Sequence, residues 1–187
     1  LINDSLSSTI TFYNLLTKPL NKEILKSILF FCVLLILSRL IPHPPNFTPL
    51  IAGAIFLPFL VRDRRLIIFL PIFCLLISDF LIGFHTVMIW TYSAFLLIGF
   101  IASKFTTNKL GSLLGQSLSA PTIFFLITNF GVWTGSSMYS QDINGLIQCY
   151  FLALPFYASS LLATVLFASL FYFSRIFFIH RTLFNKI

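Results

Sequence analysis

The chain has 187 residues, of which 58% are hydrophobic and only 9% are charged, and its mean hydropathy is +0.97. A soluble domain carries about a quarter charged residues, so this composition excludes a soluble globular protein and indicates an integral membrane protein. Basic residues beside apolar spans usually face anionic lipid, so the net charge of +7 does not indicate a nucleic-acid partner.

Apolar runs of membrane-spanning length recur along the chain and leave no room for a separate soluble catalytic domain. We divide the sequence into a polar or amphipathic N-terminal segment at residues 1–20, a six-helix membrane domain at 21–178 and a cytoplasmic tail at 179–187. The predicted fold class is an all-α membrane protein with six transmembrane helices, a short or broken second helix and both termini in the cytoplasm.

The first predicted span, at residues 24–41, ends in the sequence SRLIPHPPNFTP. Thr48 followed by Pro49 predicts the start of the second helix, with the threonine hydroxyl as its cap. This helix has about 13 residues before the basic run at Arg62, roughly 20 Å, which is too short to cross a membrane. We therefore expect the PHPPNF segment to dip into the membrane and line a cavity, because non-helical backbone is tolerated there only inside protein or beside water.

The other four spans are predicted at residues 66–84, 86–103, 110–129 and 146–173, the last bent at Pro155. The fifth span carries Gly111, Gly115 and Ser119 at four-residue spacing, which favours close packing against another helix. A polar loop, TNFGVWTGSSMYSQDING, is predicted between the fifth and sixth spans.

The basic residues predict the orientation of these spans. With both termini inside, eleven of the twelve Lys and Arg residues fall on the cytoplasmic side, and only Arg39 falls outside. Loops on the cytoplasmic side carry an excess of Lys and Arg, so this asymmetry supports six spans. The predicted location is the inner, or cytoplasmic, membrane of a bacterium.

Polar side chains then concentrate at the outer ends of the helices. Asp79 is the sharpest signal, because a carboxylate at membrane depth is costly unless it is paired, hydrated or protonated. Arg39 is its natural partner, and the ion pair either only fixes the helices or also shapes a binding site. The predicted ligand-binding residues are Arg39, His43, Asn46, Asp79, His85, Asn129 and Trp133.

Several of these residues have a structural interpretation as well. Asn46 and Asn129 lie beside helix ends, where local capping explains an asparagine as well as ligand binding does. Trp133 fits an aromatic belt at the membrane interface, or it covers the pocket as a flat apolar lid.

An enzyme is disfavoured, because the sequence lacks the motifs of serine hydrolases, zinc proteases and P-loop proteins. A catalytic alternative would require His43 and Asp79 within hydrogen-bond reach of each other. No cofactor or metal is predicted, since Cys32, Cys74 and Cys149 lie far apart in the chain without ligand spacing. For the same reason a disulfide framework is not expected.

Four sequence strings, RLIPHPPNFTPLIA, SDFLIGFH, TNFGVW and GLIQCYFLALPFY, resemble a bacterial integral-membrane family of unknown function. The resemblance runs from about Arg39 to Phe156. The chain departs from the family pattern at Phe56 and Leu57, where the resemblance implies a glycine pair. It departs again at Ala158 and Ser159, where the resemblance implies Asn-Thr.

In size, span count and outward polar cluster, the chain is also similar to the substrate-binding S components of energy-coupling-factor vitamin transporters. The alanine-spaced docking motif of such components is not present in KSILFFCVLLILSRL. We therefore predict a protein that binds a small-molecule solute in an outward-facing cavity, embedded in the lipid bilayer and open to a membrane-protein partner. The alternative is a non-catalytic scaffold or accessory subunit of a membrane complex or of envelope assembly.

Overall fold

The computed structural model describes residues 22–107 and 109–184, and the regular structure in these ranges is entirely helical. The helices are α1 (Lys22–Leu40), α2 (Leu50–Phe56), α3 (Arg64–Ile82), α4 (Met88–Phe105), α5 (Leu110–Gly135), α6 (Ile143–Leu152) and α7 (Leu154–Phe184). A 3-10 turn at Leu57–Phe59 continues α2. The predicted all-α fold is confirmed, and the predicted segment at residues 1–20 lies outside the described residues.

Four of these helices are long and apolar enough to cross a membrane, namely α3, α4, α5 and the Leu154–Ile176 part of α7. They indicate a membrane protein. Helix α1 has the length of a span but includes Lys22, Glu23, Lys26 and Arg39 among its 19 residues, and α2 and α6 are too short. Six spans and cytoplasmic termini therefore stay predictions.

Helix α2 is the centre of the bundle. All seven of its residues are buried, and it contacts α3, α4, α5 and α7. Gly53 leaves no room for a side chain against Leu35 of α1, because an added Cβ would come within 2.8 Å of the leucine. The long helices instead keep one apolar face outward, as at Phe30 and Phe80, which are 72% and 75% exposed. Helix α2 has no such outer face.

The start of α2 differs from the prediction by one residue. The helix begins at Leu50, Pro49 occupies the N-cap position, and no side chain caps the helix. The Pro49 carbonyl accepts the first hydrogen bond, from the N–H of Gly53 at 2.7 Å. Thr48 therefore lies one residue before the cap position, from which a hydroxyl would reach the first free amides.

The turn before α2 lies below the end of α3. Leu50 and Leu75 line the same small cavity, and Leu75 precedes the end of α3 at Ile82 by about 10 Å along the helix axis. Residues 41–49 thus fold back into the bundle before α2 begins, as the short second helix requires.

Helix α5 is longer than predicted, and the prediction of a loop at TNFGVW was wrong. The helix continues to Gly135, because its polar side chains find partners within it. Thr128, Asn129 and Thr134 each donate a hydrogen bond to the carbonyl four residues earlier, at 2.8 to 3.0 Å. Gly131 keeps the helix close to Trp90 of α4, whose ring would clash with any Cβ at that position.

The predicted sixth helix is two helices, α6 and α7, separated at Ala153. Pro155 is the physical reason, since it has no N–H to donate to the carbonyl of Phe151 and its ring crowds that carbonyl. The Ala153 carbonyl instead accepts from the N–H groups of Phe156 and Tyr157 at 3.1 Å, which starts the new helix.

The small residues of α5 do not pack against a helix in the described part of the chain. Gly111, Gly115 and Ser119 are exposed, and a Cβ added at either glycine would meet nothing within 4 Å. The predicted packing face therefore points away from the bundle.

The antiparallel helices give the bundle two chemically different ends. One end, here called the basic end, carries exposed lysines and arginines in the connections before α3 and before α5, including Arg62, Arg64, Lys104 and Lys109. The opposite end, here called the cavity end, is where α1, α3 and α5 finish and α4 and α6 begin.

Toward the basic end, aromatic rings fill the space around α2. Phe56 contacts Phe31, Phe59 and Phe171, with ring centroids 5.3 to 6.1 Å apart. We call these four residues the aromatic cluster. It joins α1, α2 and α7, and Arg175 lies over the Phe59 ring at 5.7 Å.

Candidate functional site

Arg39 and Asp79 form the ion pair that the sequence predicts. The Nη1 atom of Arg39 lies 2.5 Å from Oδ1 of Asp79, and the aspartate is 1% exposed. The same Nη1 atom also contacts the hydroxyl of Ser78 at 2.5 Å and the carbonyl of Leu75 at 3.4 Å. The guanidinium is therefore held against α3 by one of its two terminal nitrogens.

Tyr92 completes the environment of the carboxylate. Its hydroxyl donates to Oδ2 of Asp79 at 2.8 Å, so each carboxylate oxygen has a partner. We call Arg39, Ser78, Asp79 and Tyr92 the polar network; it joins α1, α3 and α4. A buried carboxylate with this many donors is stabilised in its charged form.

Beside the polar network lies a cavity of about 470 Å³ at the cavity end. Arg39, Thr91, Thr128 and Asn129 contribute polar groups to its wall, whereas Phe124 and Phe156 contribute apolar surface. Asn46 and His85, which are exposed, also line it, so the cavity is reached from this end of the bundle.

A smaller cavity of about 120 Å³ adjoins the first. Arg39, Asn46, Thr91 and Phe124 line both cavities. The smaller cavity extends toward the start of α2 and includes Ser160 of α7. The two cavities therefore meet at Arg39.

The PHPPNF turn contributes two of the predicted residues to these walls. His43 lines the smaller cavity, and its Nδ1 lies 2.8 Å from the carbonyl of Pro44. Asn46 lines both cavities and has a φ of 61°, a left-handed conformation that asparagine tolerates better than most residues. The turn is attached to α7, because Ser159 donates a hydrogen bond to the carbonyl of Pro45 at 2.8 Å.

The structure separates the remaining predicted residues into those that line a cavity and those that do not. His85 and Asn129 line the larger cavity. Asp79 lines neither; it acts on the site through Arg39. The catalytic alternative required His43 beside Asp79, but the described partners of Asp79 are Arg39 and Tyr92.

Trp133 does not form the lid proposed for it. Because α5 is helical here, its indole contacts Phe130 and donates to the carbonyl of Ser140 at 2.9 Å. Gln141 donates to the Trp133 carbonyl in return. These bonds fasten the α5–α6 connection to the end of α5, outside the two cavities.

The start of α6 is fixed in the same connection by Asp142. Its carboxylate accepts hydrogen bonds from the N–H of Gly145 and the hydroxyl of Ser140. These bonds lower the pKa of Asp142 below its ordinary value, with the Gly145 bond as the larger cause. The carboxylate is thus a helix cap rather than part of the cavity wall.

Sequence reasoning missed several residues of the site. Thr91, Phe124, Thr128 and Ser160 line the cavities but lie in apolar helices, where a small hydroxyl residue carries no special signal. Tyr92 was missed because its link to Asp79 depends on how α3 and α4 face each other.

The cysteines also differ from expectation in one respect. Cys32 and Cys74 lie within hydrogen-bonding reach of each other between α1 and α3, although 42 positions separate them in the chain. Both are free thiols. Within the described residues, no group of three His, Cys, Asp or Glu side chains is placed to hold a metal ion.

Comparison with known proteins assigns a family but no activity. No curated protein and no solved structure matches the chain. Residues 19–184 match the model of a family described as a family of unknown function, DUF6580. Since the match covers nearly the whole chain, the protein belongs to the DUF6580 family.

Proposed function

We propose that the protein binds a small solute in the two adjoining cavities, with the cavity end facing the outside of a bacterial inner membrane. The substrate-binding component of a transporter is the role that suits such a site. The larger cavity supports this proposal, because its volume of about 470 Å³ lies within the range of roughly 300 to 1,000 Å³ that ligand pockets occupy.

The chemistry of the wall also supports binding. Ligand sites combine mostly apolar surface with a few converging polar groups that fix orientation. Here Phe124 and Phe156 supply apolar surface, and Arg39, Thr91 and Asn129 supply polar groups from three different helices. A bundle that needed only internal packing would gain by filling this volume, because unfilled space loses dispersion contacts.

The proposed orientation rests on charge. The described lysines and arginines other than Arg39 lie toward the basic end, and such residues concentrate on the cytoplasmic side of membrane proteins. In this arrangement the chain crosses the membrane six times, with α2 and its preceding turn making one incomplete crossing. The cavity end then faces outward.

A scaffold function is the second candidate, and the polar network favours it. Its members satisfy one another and join α1, α3 and α4, as purely structural groups would. A scaffold does not need a solute in the cavity, so the two functions differ in what the purified protein contains.

Native mass spectrometry of the detergent-purified protein tests the proposal with a matched pair of variants. Thr128 and Thr134 both lie on α5 and both donate to the carbonyl four residues earlier, but only Thr128 lines the cavity. We expect a small molecule to co-purify with the wild type and with Thr134→Trp, and to be absent from Thr128→Trp, because the indole occupies its place. A wild-type protein that carries no small molecule, or a molecule retained by Thr128→Trp, would favour the scaffold.

A further inference from the structure

Arg39 has hydrogen-bond donors that the protein does not use. A guanidinium carries five N–H donors on three nitrogens. All the contacts that Arg39 makes to the described residues come from Nη1, so Nη2 and Nε have no partner there. Because Arg39 lines both cavities and its side chain is 18% exposed, these donors are available to a molecule in the cavities.

The carboxylate that balances Arg39 is hidden from the cavities. Asp79 is 1% exposed and lines neither cavity, and no other Asp or Glu lines either of them. Asp63 caps α3 near the basic end, and Asp142 caps α6. A molecule entering the cavities therefore meets a cation without meeting its counter-ion.

Two hydroxyl groups add further donors near Arg39. The Oγ atom of Ser160 is buried without a hydrogen-bond partner in the described structure, and Ser160 lines the smaller cavity. Thr91 is 9% exposed and lines both cavities, and its hydroxyl has no partner among the described residues. A buried polar group without a partner is costly, so a ligand oxygen that accepts from these hydroxyls would be favoured.

The larger cavity has a different lining away from Arg39. Phe124, Val132, Leu152 and Phe156 contribute apolar surface there. A ligand that fits both cavities has an oxygen-rich group at one end and an apolar body at the other.

Building on the proposed solute-binding function, we propose that the ligand is a small organic anion. Its carboxylate or phosphate oxygens bind the free N–H edge of Arg39 together with Thr91 and Ser160 in the smaller cavity. Its apolar part lies against Phe124 and Phe156 in the larger cavity.

A set of three probes of similar shape tests the charge of the ligand. Benzoate, benzamide and benzylammonium carry a negative, a neutral and a positive group on the same ring. Binding to the folded state raises the thermal unfolding midpoint with concentration, so titrating each probe in a non-ionic detergent yields relative affinities. We expect benzoate to bind at least about tenfold more tightly than benzamide, since hydrogen bonds to charged groups are the stronger ones, and we expect benzylammonium not to bind.

Arg39→Lys separates binding from folding. A lysine ammonium has three donors, which the carboxylate of Asp79, the hydroxyl of Ser78 and the carbonyl of Leu75 would occupy. The variant should unfold near the wild-type midpoint in the absence of probe but lose about tenfold or more in benzoate affinity. Arg65→Lys, an exposed change near the basic end, should alter neither.

Each result bears on one of the two proposals. Benzamide or benzylammonium binding as tightly as benzoate, or benzoate affinity unchanged in Arg39→Lys, would overturn the anion inference while leaving solute binding intact. If none of the three probes binds and no molecule co-purifies, solute binding itself fails. Loss of benzoate binding on adding phosphatidylglycerol would assign the anion to a lipid headgroup, and undiminished binding would assign it to a free solute; both results support an anion site.

Discussion

The aromatic cluster and the polar network hold the same bundle together at two levels, by different physics. The aromatic cluster fills the space around α2 with rings that touch at 5.3 to 6.1 Å. The polar network brings a charged pair, a serine and a tyrosine together beside open cavities. In a membrane, apolar side chains are also comfortable in lipid, so the aromatic cluster stabilises through fit, whereas ionised groups have no comparable alternative there.

The comparison predicts that the polar network tolerates substitution least. Asp79→Leu should lower the free energy of unfolding by about 3 to 5 kcal/mol, because it leaves the Arg39 guanidinium partly buried without its counter-ion. Unfolding by sodium dodecyl sulfate, followed by circular dichroism, measures the loss.

The double variant Arg39→Met with Asp79→Leu is the control for that prediction. It removes both charges, so it should recover much of the lost stability. If the two single losses instead add, the pair does not act as a unit and the comparison fails at its first step.

The aromatic cluster should respond less strongly. Phe56→Ala leaves a cavity around a buried ring, but part of the cost known from soluble proteins disappears when the unfolded ring is in lipid or detergent, so we expect a loss of about 2 kcal/mol. Phe80→Ala is the matched control: this ring is 75% exposed on α3, and its removal should cost close to nothing in the same assay. Equal losses for the two variants would mean that packing around α2 is not special.

The smallest predicted effect concerns the contact between α4 and α5 near the cavity end. Gly131→Ala should destabilise by about 1 kcal/mol or more, because the new methyl group meets the ring of Trp90. Gly115→Ala on the same helix meets nothing within 4 Å and should be neutral or slightly stabilising, since alanine favours helix. Thermal unfolding of both variants in detergent makes the measurement, and the reverse order of stabilities would show that TNFGVW is not packed as described.

The sequence was sufficient where one residue type dominates the energetics. The Arg39–Asp79 pair is correctly predicted, because a carboxylate among apolar residues has few ways to be satisfied. The short α2 was predicted for a similar reason, since the proline-rich turn and the basic run at Arg62 limit its length.

The sequence was insufficient where neighbours decide the outcome. Thr128 and Asn129 read as loop residues, but their side chains bond carbonyls within α5 and let the helix continue. Gly111 and Gly115 read as a packing face, yet the helix turns them outward. Local pattern alone does not specify which side of a helix meets its neighbours.

The complete burial of α2 has a consequence for how the protein is assembled. A segment with seven α-helical residues and a 3-10 turn cannot enter a bilayer independently, because a stable insertion needs about 20 apolar residues. Its unpaired backbone ends would also be exposed to hydrocarbon if it entered alone. Helix α2 and the turn before it must therefore reach their place by docking among helices that are already inserted, which makes the walls of the cavities a late product of biogenesis.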